Sequence, residues 1–360
     1  MHKNLLTVIV VCIFSLIIIQ NKLHAQDIQK ITIEPETFID YEKGFKGEYL
    51  AKPQMIGFNK KTSTIFIVDM GNYCIYEFNK SGNLVNKFGG KGQGPGEFLS
   101  VFCFYVSDNG NIYLGDDRNR RITQYSQIGK YVNSFRIDRH IPDTYFSIND
   151  KEEIIFNYVL NDKYITVLTS SGEVKKEIGQ INHYESKKSI PDFDYFNAFG
   201  WVFNKNDIFY AIIVEQFKII LFNEKGDKIK EIDFSDLLPP LYKDLKSVKI
   251  LPEKKDKLNV FLLFQDVLFT GNKYYFFESY NIYDNNSTSK VISDKNIIRI
   301  YECDENLSRI NKIITLKLAK EHIMSGFMKL KIAFDPEEEC FYLPIPEQAS
   351  VYKYNLKVKK

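Results

Sequence analysis

Histidine, cysteine and tryptophan are scarce in this sequence: five, five and one in 360 residues. Beyond residue 25 the histidines are His140, His183 and His322, too scattered for HExxH or any other local zinc pattern. No GxSxG elbow is present to present a nucleophilic serine. Neither sign of charge prevails, with 48 Lys and Arg against 46 Asp and Glu. Nucleic-acid binding draws much of its affinity from phosphate neutralisation and shows as a basic excess or patch. Only the tail at Lys357, Lys359 and Lys360 offers one, and a solvated end explains it, so no nucleic acid is expected as a partner. Long apolar runs are missing too. The longest, residues 5–19, falls short of the roughly 20 residues that a membrane span needs.

That short run follows His2 and Lys3 and leads through a polar stretch to Leu23, His24 and Ala25. It reads as a secretory signal peptide over residues 1–25, which predicts an extracytoplasmic protein (periplasmic, cell-surface or secreted) with no membrane span after cleavage. Cys12 lies inside the apolar run behind Val11, a poor match to a lipoprotein site. Cleavage would remove Lys3 and Lys22 and no acid, leaving 46 charges of each sign. Four cysteines remain, Cys74, Cys103, Cys303 and Cys340, each in an apolar, strand-like run. Buried free thiols are the simpler expectation, while export leaves a pair such as Cys74 with Cys103 open.

What the sequence does contain is a repeat. Asp69, Asn72, Ile75, Phe78 and Gly82 recur as Asp116, Asn119, Ile122, Tyr125 and Gly129, all at an offset of 47 residues. Aligned on the Ile and Phe positions, further copies fall at Ile165 with Leu168, Ile219 with Phe222, Ile300 with Cys303 and Val351 with Tyr354. The turn glycine persists at Gly172 and Gly226 and is missing from the last two copies. Repeats of this period indicate propeller blades or solenoid units. Between the anchors run short β-branched and aromatic stretches punctuated by Gly, Asn and Asp, which favours strands.

The predicted fold is all-β: residues 26–360 form one six-bladed β-propeller with four-stranded blades, closed by an N-terminal strand. Residues 65–68 and 112–114 would be second strands, residues 74–78 and 121–125 third strands. Ser81-Gly82 and Asn109-Gly110 suit tight hairpins. Since little chain follows Tyr354, the strand at residues 29–34 is the expected outer strand of the last blade. The wide step from Ile219 to Ile300 holds extra residues, read as an enlarged loop on the fifth blade or a degenerate seventh blade. Sequons at Asn285 and Asn286 fall inside it and carry little weight. Short helical turns are expected at residues 234–246 and 318–327.

Each chemically suggestive motif has a structural reading beside it. Asp69 and Asp116 lie where second strand turns to third, where a carboxylate can accept backbone N–H bonds or pair with Arg121. Asn72 and Asn119 suit the left-handed conformation of such turns. A metal-ligand role is the weaker reading, because these residues recur as scaffolding does. Residues 89–98, GGKGQGPGEF, lack the strand–GxxxxGK[ST]–helix context of a phosphate loop. They read as a crossover between blades that Phe98 pins by burying its ring. Asp192, Asp194 and Asn197 resemble part of a calcium loop but place Asn197 where glycine is required. Residues 335–339, DPEEE, read as a solvated acidic turn.

Asp116-x-x-Asn119-x-Arg121-Ile122, preceded by Asn111-Ile112-Tyr113 and by GxGPGEF, closely resembles the NHL repeat. The whole chain resembles the secreted six-bladed propeller proteins of Bacteroidetes. Blade one departs by placing Cys74 where the repeat favours Arg, and blades three to six lose the Asp and Asn. The lone Trp201 argues against a WD-type propeller. The resemblance implies the fold; its members bind proteins, RNA or small ligands, and a few are lyases or lactonase-like enzymes, so it transfers no chemistry by itself.

Two functional expectations follow. The first is a non-catalytic, monomeric binding propeller without a cofactor, presenting a loop face to a protein or glycan through Tyr73, Arg118, Arg120, Lys163, Glu215 and Gln348 beside the residue 91–96 crossover. These side chains vary from blade to blade while the anchors beneath them repeat, and loops on a rigid frame commonly carry binding. The second is a channel-centred hydrolase or lyase, lactonase-like, holding a divalent cation on carboxylates at the propeller axis.

Overall fold

In the computed structural model, the described residues are 28–40, 42–137, 146–156, 163–180, 200–213, 218–233, 259–261, 264–270, 272–278, 281–283, 297–318 and 331–357. The signal peptide, the three histidines, Glu215, the residue 192–197 motif, the sequons and the two expected helical turns lie outside them. Among the described residues the only helical element is a 3-10 turn, Pro346–Gln348.

Six antiparallel four-stranded sheets form the blades, innermost strand first. Blade one comprises Pro53–Asn59, Thr64–Asp69, Cys74–Asn79 and Leu84–Phe88. Blade two comprises Val101–Val106, Ile112–Asp116, Arg121–Tyr125 and Tyr131–Arg136. Blade three runs through Phe146–Ile148, Ile154–Phe156, Lys163–Leu168 and Val174–Gln180. Blade four runs through Gly200–Lys205, Ile208–Ile213, Lys218–Phe222 and Lys228–Asp233. Blade five has Phe264–Thr270, Lys273–Glu278, Ile297–Asp304 and Ile310–Lys317. Blade six has Ala333–Asp335, Cys340–Ile345 and Ser350–Asn355, and takes its outer strand from Glu36–Ile39.

Closure therefore uses the N-terminus, but not through the expected strand. Gln29–Ile33 pairs parallel with Ile310–Lys317 and adds a fifth strand to blade five. Glu36–Ile39 pairs antiparallel with Ser350–Asn355 and completes blade six. The reason is geometric: with Ile33 and Ile39 both buried, one N-terminal segment covers the outer edges of two neighbouring blades. Blade six lacks a turn glycine because no hairpin leads to its outer strand. In blade five Leu307 takes the left-handed conformation instead (φ 54°), and the Asp304 carboxylate accepts the Ser308 and Arg309 N–H bonds of that turn.

Both faces of each blade are covered, so the inner strands are apolar at consecutive positions rather than alternating. Six apolar clusters fill the six seams between neighbouring blades, including that between blades six and one. The repeated anchors split between them. Ile75, Ile122, Ile165, Ile219, Ile300 and Val351 pack toward the following blade. Phe78, Tyr125, Phe222, Cys303 and Tyr354 pack toward the preceding one. Each third strand thus bolts its blade on both sides, which is why this pair survives where the turn residues have drifted.

The extra residues before Ile300 do not form a seventh blade among the described residues. Asn281–Tyr283 pairs antiparallel with Asn259–Phe261, a two-stranded ribbon built from the second-to-third-strand connection of blade five and the segment entering that blade. All four cysteines are free and buried, so Cys74 and Cys103 are not paired.

Candidate functional site

Strand direction sorts the connections between two faces. Turns joining second to third strands emerge with the crossovers on one face, called here the crossover face. Turns joining first to second and third to fourth strands emerge on the opposite face.

On the crossover face the frame is tied down by buried carboxylates. Asp69, fully buried, accepts the backbone N–H groups of Ala51 (2.6 Å), Lys52 (2.9 Å), Gly71 (2.8 Å) and Asn72 (3.0 Å). Asp116 repeats this with Leu99 (2.9 Å), Ser100 (3.0 Å) and Asn119 (3.2 Å). Each aspartate thus joins its own turn to the crossover entering its blade. Two details depart from expectation. Asn72 and Asn119 are not the left-handed residues; Tyr73 (φ 52°) and Arg120 (φ 50°) are, while the Asn amides donate to the aspartates. Arg121 leaves Asp116 aside and donates to the carbonyls of Gln93, Gly94 and Glu97, holding the glycine-rich crossover. Those carbonyls are a better match for its planar fork than an aspartate already saturated with N–H donors. Phe98 is fully buried between blades one and two, as a pin for that crossover should be.

The candidate binding residues sit on the crossover face in different blades. Arg118 and Arg120 are exposed on the blade-two turn. Tyr73 is half-buried, packed on Phe98 with ring centroids 6.4 Å apart, and Lys91 lies 4.8 Å over its ring. Lys163 donates to Gln180 Oε1 (2.7 Å) at the blade-three edge. Gln348 accepts the Tyr352 hydroxyl (2.7 Å) within blade six. None of these contacts joins one candidate to another, and Glu215 lies outside the described residues. Tyr73 and Gln348 therefore serve the frame as well as the surface.

The opposite face holds a feature that the sequence reading missed. Each innermost strand ends in an apolar–polar pair: Phe58-Asn59, Val106-Ser107, Ile148-Asn149, Phe203-Asn204, Phe269-Thr270 and Phe334-Asp335. The polar member closes the following turn, as where Asn59 Oδ1 accepts the Lys61 N–H, Asn149 Oδ1 that of Lys151 and Asp335 Oδ1 that of Glu337. The apolar members from all six blades line an axial cavity of about 470 Å³. Its ionisable lining is Lys60, Lys205, Lys331, Asp108 and Asp150. Both aspartates are exposed at the mouth, and Asp108 is paired with Lys60 at 2.9 Å. The carboxylates expected at the axis under a metal-dependent reading do not converge there among the described residues.

One trio could in geometry hold a metal: Asp335, Glu338 and Cys340, on blade six near its contact with blade one. Asp335 is buried rather than part of a solvated turn, and Lys80 of blade one lies 2.8 Å from its Oδ2 and 2.9 Å from Glu337. Burial alone would lower the Lys80 pKa, yet hydrogen bonds to Asp335 and Glu337 outweigh it and raise it. Burial pushes the Cys340 thiol up to about 11, leaving it protonated at neutral pH. With a lysine ammonium already on the carboxylates, this cluster is an ion pair between the first and last blades.

No curated protein is similar to this chain. Among solved structures, a DUF4221 family member from Bacteroides vulgatus matches with a TM-score of 0.54 at 11% identity, covering 90% of this chain and 97% of that one. A streptogramin B lyase matches at 0.50 and 14% identity, covering 90% and 97% respectively. The WD40 repeats of RRP9 match at 0.51 and 9% identity, covering 90% and 100%. At such identities these likenesses speak for the fold alone. A family model described as a six-bladed beta-propeller, DUF5128, matches residues 50–238, more than half of the sequence. The chain belongs to the DUF5128 family of six-bladed β-propellers.

Proposed function

We propose that this protein is an exported, non-catalytic binding propeller whose crossover face recognises a protein or glycan partner. The observation that supports this most is the division of labour on that face. The repeated aspartates Asp69 and Asp116 are consumed by backbone N–H groups, while Arg118 and Arg120 are exposed on a turn held rigid beneath them. A rigid frame lowers the ordering cost of binding, and arginine is a frequent anchor of interfaces. Export rests on residues 1–25, and the NHL-like character on Asp116, Asn119, Arg121 and the GxGPGEF crossover. The second and third strands carry these residues, and Arg121 holds that crossover by its carbonyls.

The test is site-specific photo-crosslinking in the native cell. A photoreactive residue at position 118 or 120 is compared with one at Val132, exposed on the outer strand of blade two. Discrete adducts from 118 and 120, and none from 132, are expected. Adducts from 132 alone, or from none of the three, would overturn the reading.

A further inference from the structure

We propose that the axial cavity is a second binding site, open to the face opposite the crossovers, that takes a small organic anion: a carboxylate carried on a flat, apolar body. The inference does not depend on the crossover-face reading, because the two sites share no residue.

The cavity is lined from all six blades, and its volume of about 470 Å³ lies within the range of small-molecule pockets. Its wall is largely aromatic, with Phe58, Tyr105, Phe203, Phe269 and Phe334 around the axis. Phe203 and Phe269 stack nearly parallel, with centroids 6.3 Å apart, across the seam between blades four and five. Flat rings of this kind favour a flat guest.

Two lysines set the charge preference. Lys331 belongs to the segment entering blade six, yet its Nζ lies 5.3 Å over the ring of Tyr105 in blade two. Blades six and two are not neighbours, so this side chain must cross the axial space. Lys205 of blade four lies 3.7 Å over the ring of Phe269 in blade five. Both are half-buried, and neither has a carboxylate in hydrogen-bond reach among the described residues. Desolvation lowers the Lys205 pKa, with Glu305 opposing at longer range. The other charged lining groups do not neutralise them: Lys60 and Asp108 are paired with each other, and Asp150 is exposed at the mouth. A partly desolvated cation without a counter-ion is unfavourable, and an anion entering the cavity relieves it. The aromatic faces hold the ammonium groups by cation–π attraction, which an incoming carboxylate can supplement rather than displace.

A calorimetric titration of the intact protein tests the proposal with 2-naphthoate and its neutral isostere 2-naphthamide as probes. The naphthoate should bind at least tenfold more tightly than the amide. Lys331→Gln should remove that preference while leaving amide binding unchanged, and Lys331→Arg should keep it. Should Lys331→Gln fail to fold, Lys205→Gln at the cavity mouth is read the same way. No naphthoate binding, equal binding of both probes, or a charge preference that survives the Gln variant would overturn it.

Discussion

At the scale of residues, two side-chain types show how the frame is held. Asp116 is fully buried with three backbone N–H groups and the Asn119 amide on its carboxylate. Replacing it with Ala strips those donors of their acceptor in a water-poor site, at a cost of more than about 3 kcal/mol. Urea unfolding of Asp116→Ala should show this as a lower midpoint at unchanged slope. The thiols give a second expectation. Burial pushes Cys74 and Cys340 up to about 11 and Cys303 up to about 12, from an ordinary value of 9.0. Because the folded-state value is the higher one, the thiols' contribution to stability is complete below pH 9. It is lost as the pH rises toward 11 and the unfolded chain ionises first. Thermal midpoints should fall across that window. A disulfide reagent at pH 8 should leave the native thiols unmodified and react with them in guanidinium. Rapid native reaction would place them at the surface.

At the scale of elements, the N-terminal segment carries the informative departure from the sequence. The anchors Ile75 and Phe78, the paired aspartates, the strand ranges and the Phe98 crossover were legible, because each is a local pattern repeated along the chain. Which N-terminal strand closes the ring was not. Residues 29–33 and 36–39 are both short and partly apolar, and nothing local distinguishes a parallel partner on blade five from an antiparallel one on blade six. Site residues were legible only as turn positions. Tyr73 and Gln348 proved to be packed or hydrogen-bonded into the frame, and Lys331 gave no signal because its position across the axis exists only once the ring has closed. The closure has a direct consequence. A protein beginning at Glu34 should remain a folded monomer, since it keeps Glu36–Ile39, while one beginning at Asp40 leaves Ser350–Asn355 as an open edge. Size-exclusion chromatography should show aggregation only for the second. Aggregation of both would mean that Gln29–Ile33 is also needed to seal the ring.

At the scale of the whole molecule, the propeller is a closed ring of six similar seams, so a weak seam anywhere threatens the closure. The seam between blades one and six carries the Lys80–Asp335 pair, with the aspartate fully buried. Lys80→Met leaves that carboxylate without its cation and should cost about 3 kcal/mol, as breaking a buried pair does. Restoring stability with the double variant that also carries Asp335→Asn would show that the unpaired charge, rather than lost packing, is the cause. The ring also explains how two faces can be specialised independently. Asp69 and Asp116 anchor the crossover face, while the terminal polar residues of the innermost strands close the turns of the other.

The central claim is that the crossover face binds while the frame beneath it does not change. It is tested most directly by one paired measurement on Arg118→Glu/Arg120→Glu: affinity for the partner captured at position 118, and the melting temperature of the same preparation. Both arginines are exposed and neither carries a blade seam. The account predicts at least a tenfold loss of affinity with the melting temperature unmoved. Unchanged affinity, or affinity lost only together with the fold, would contradict it.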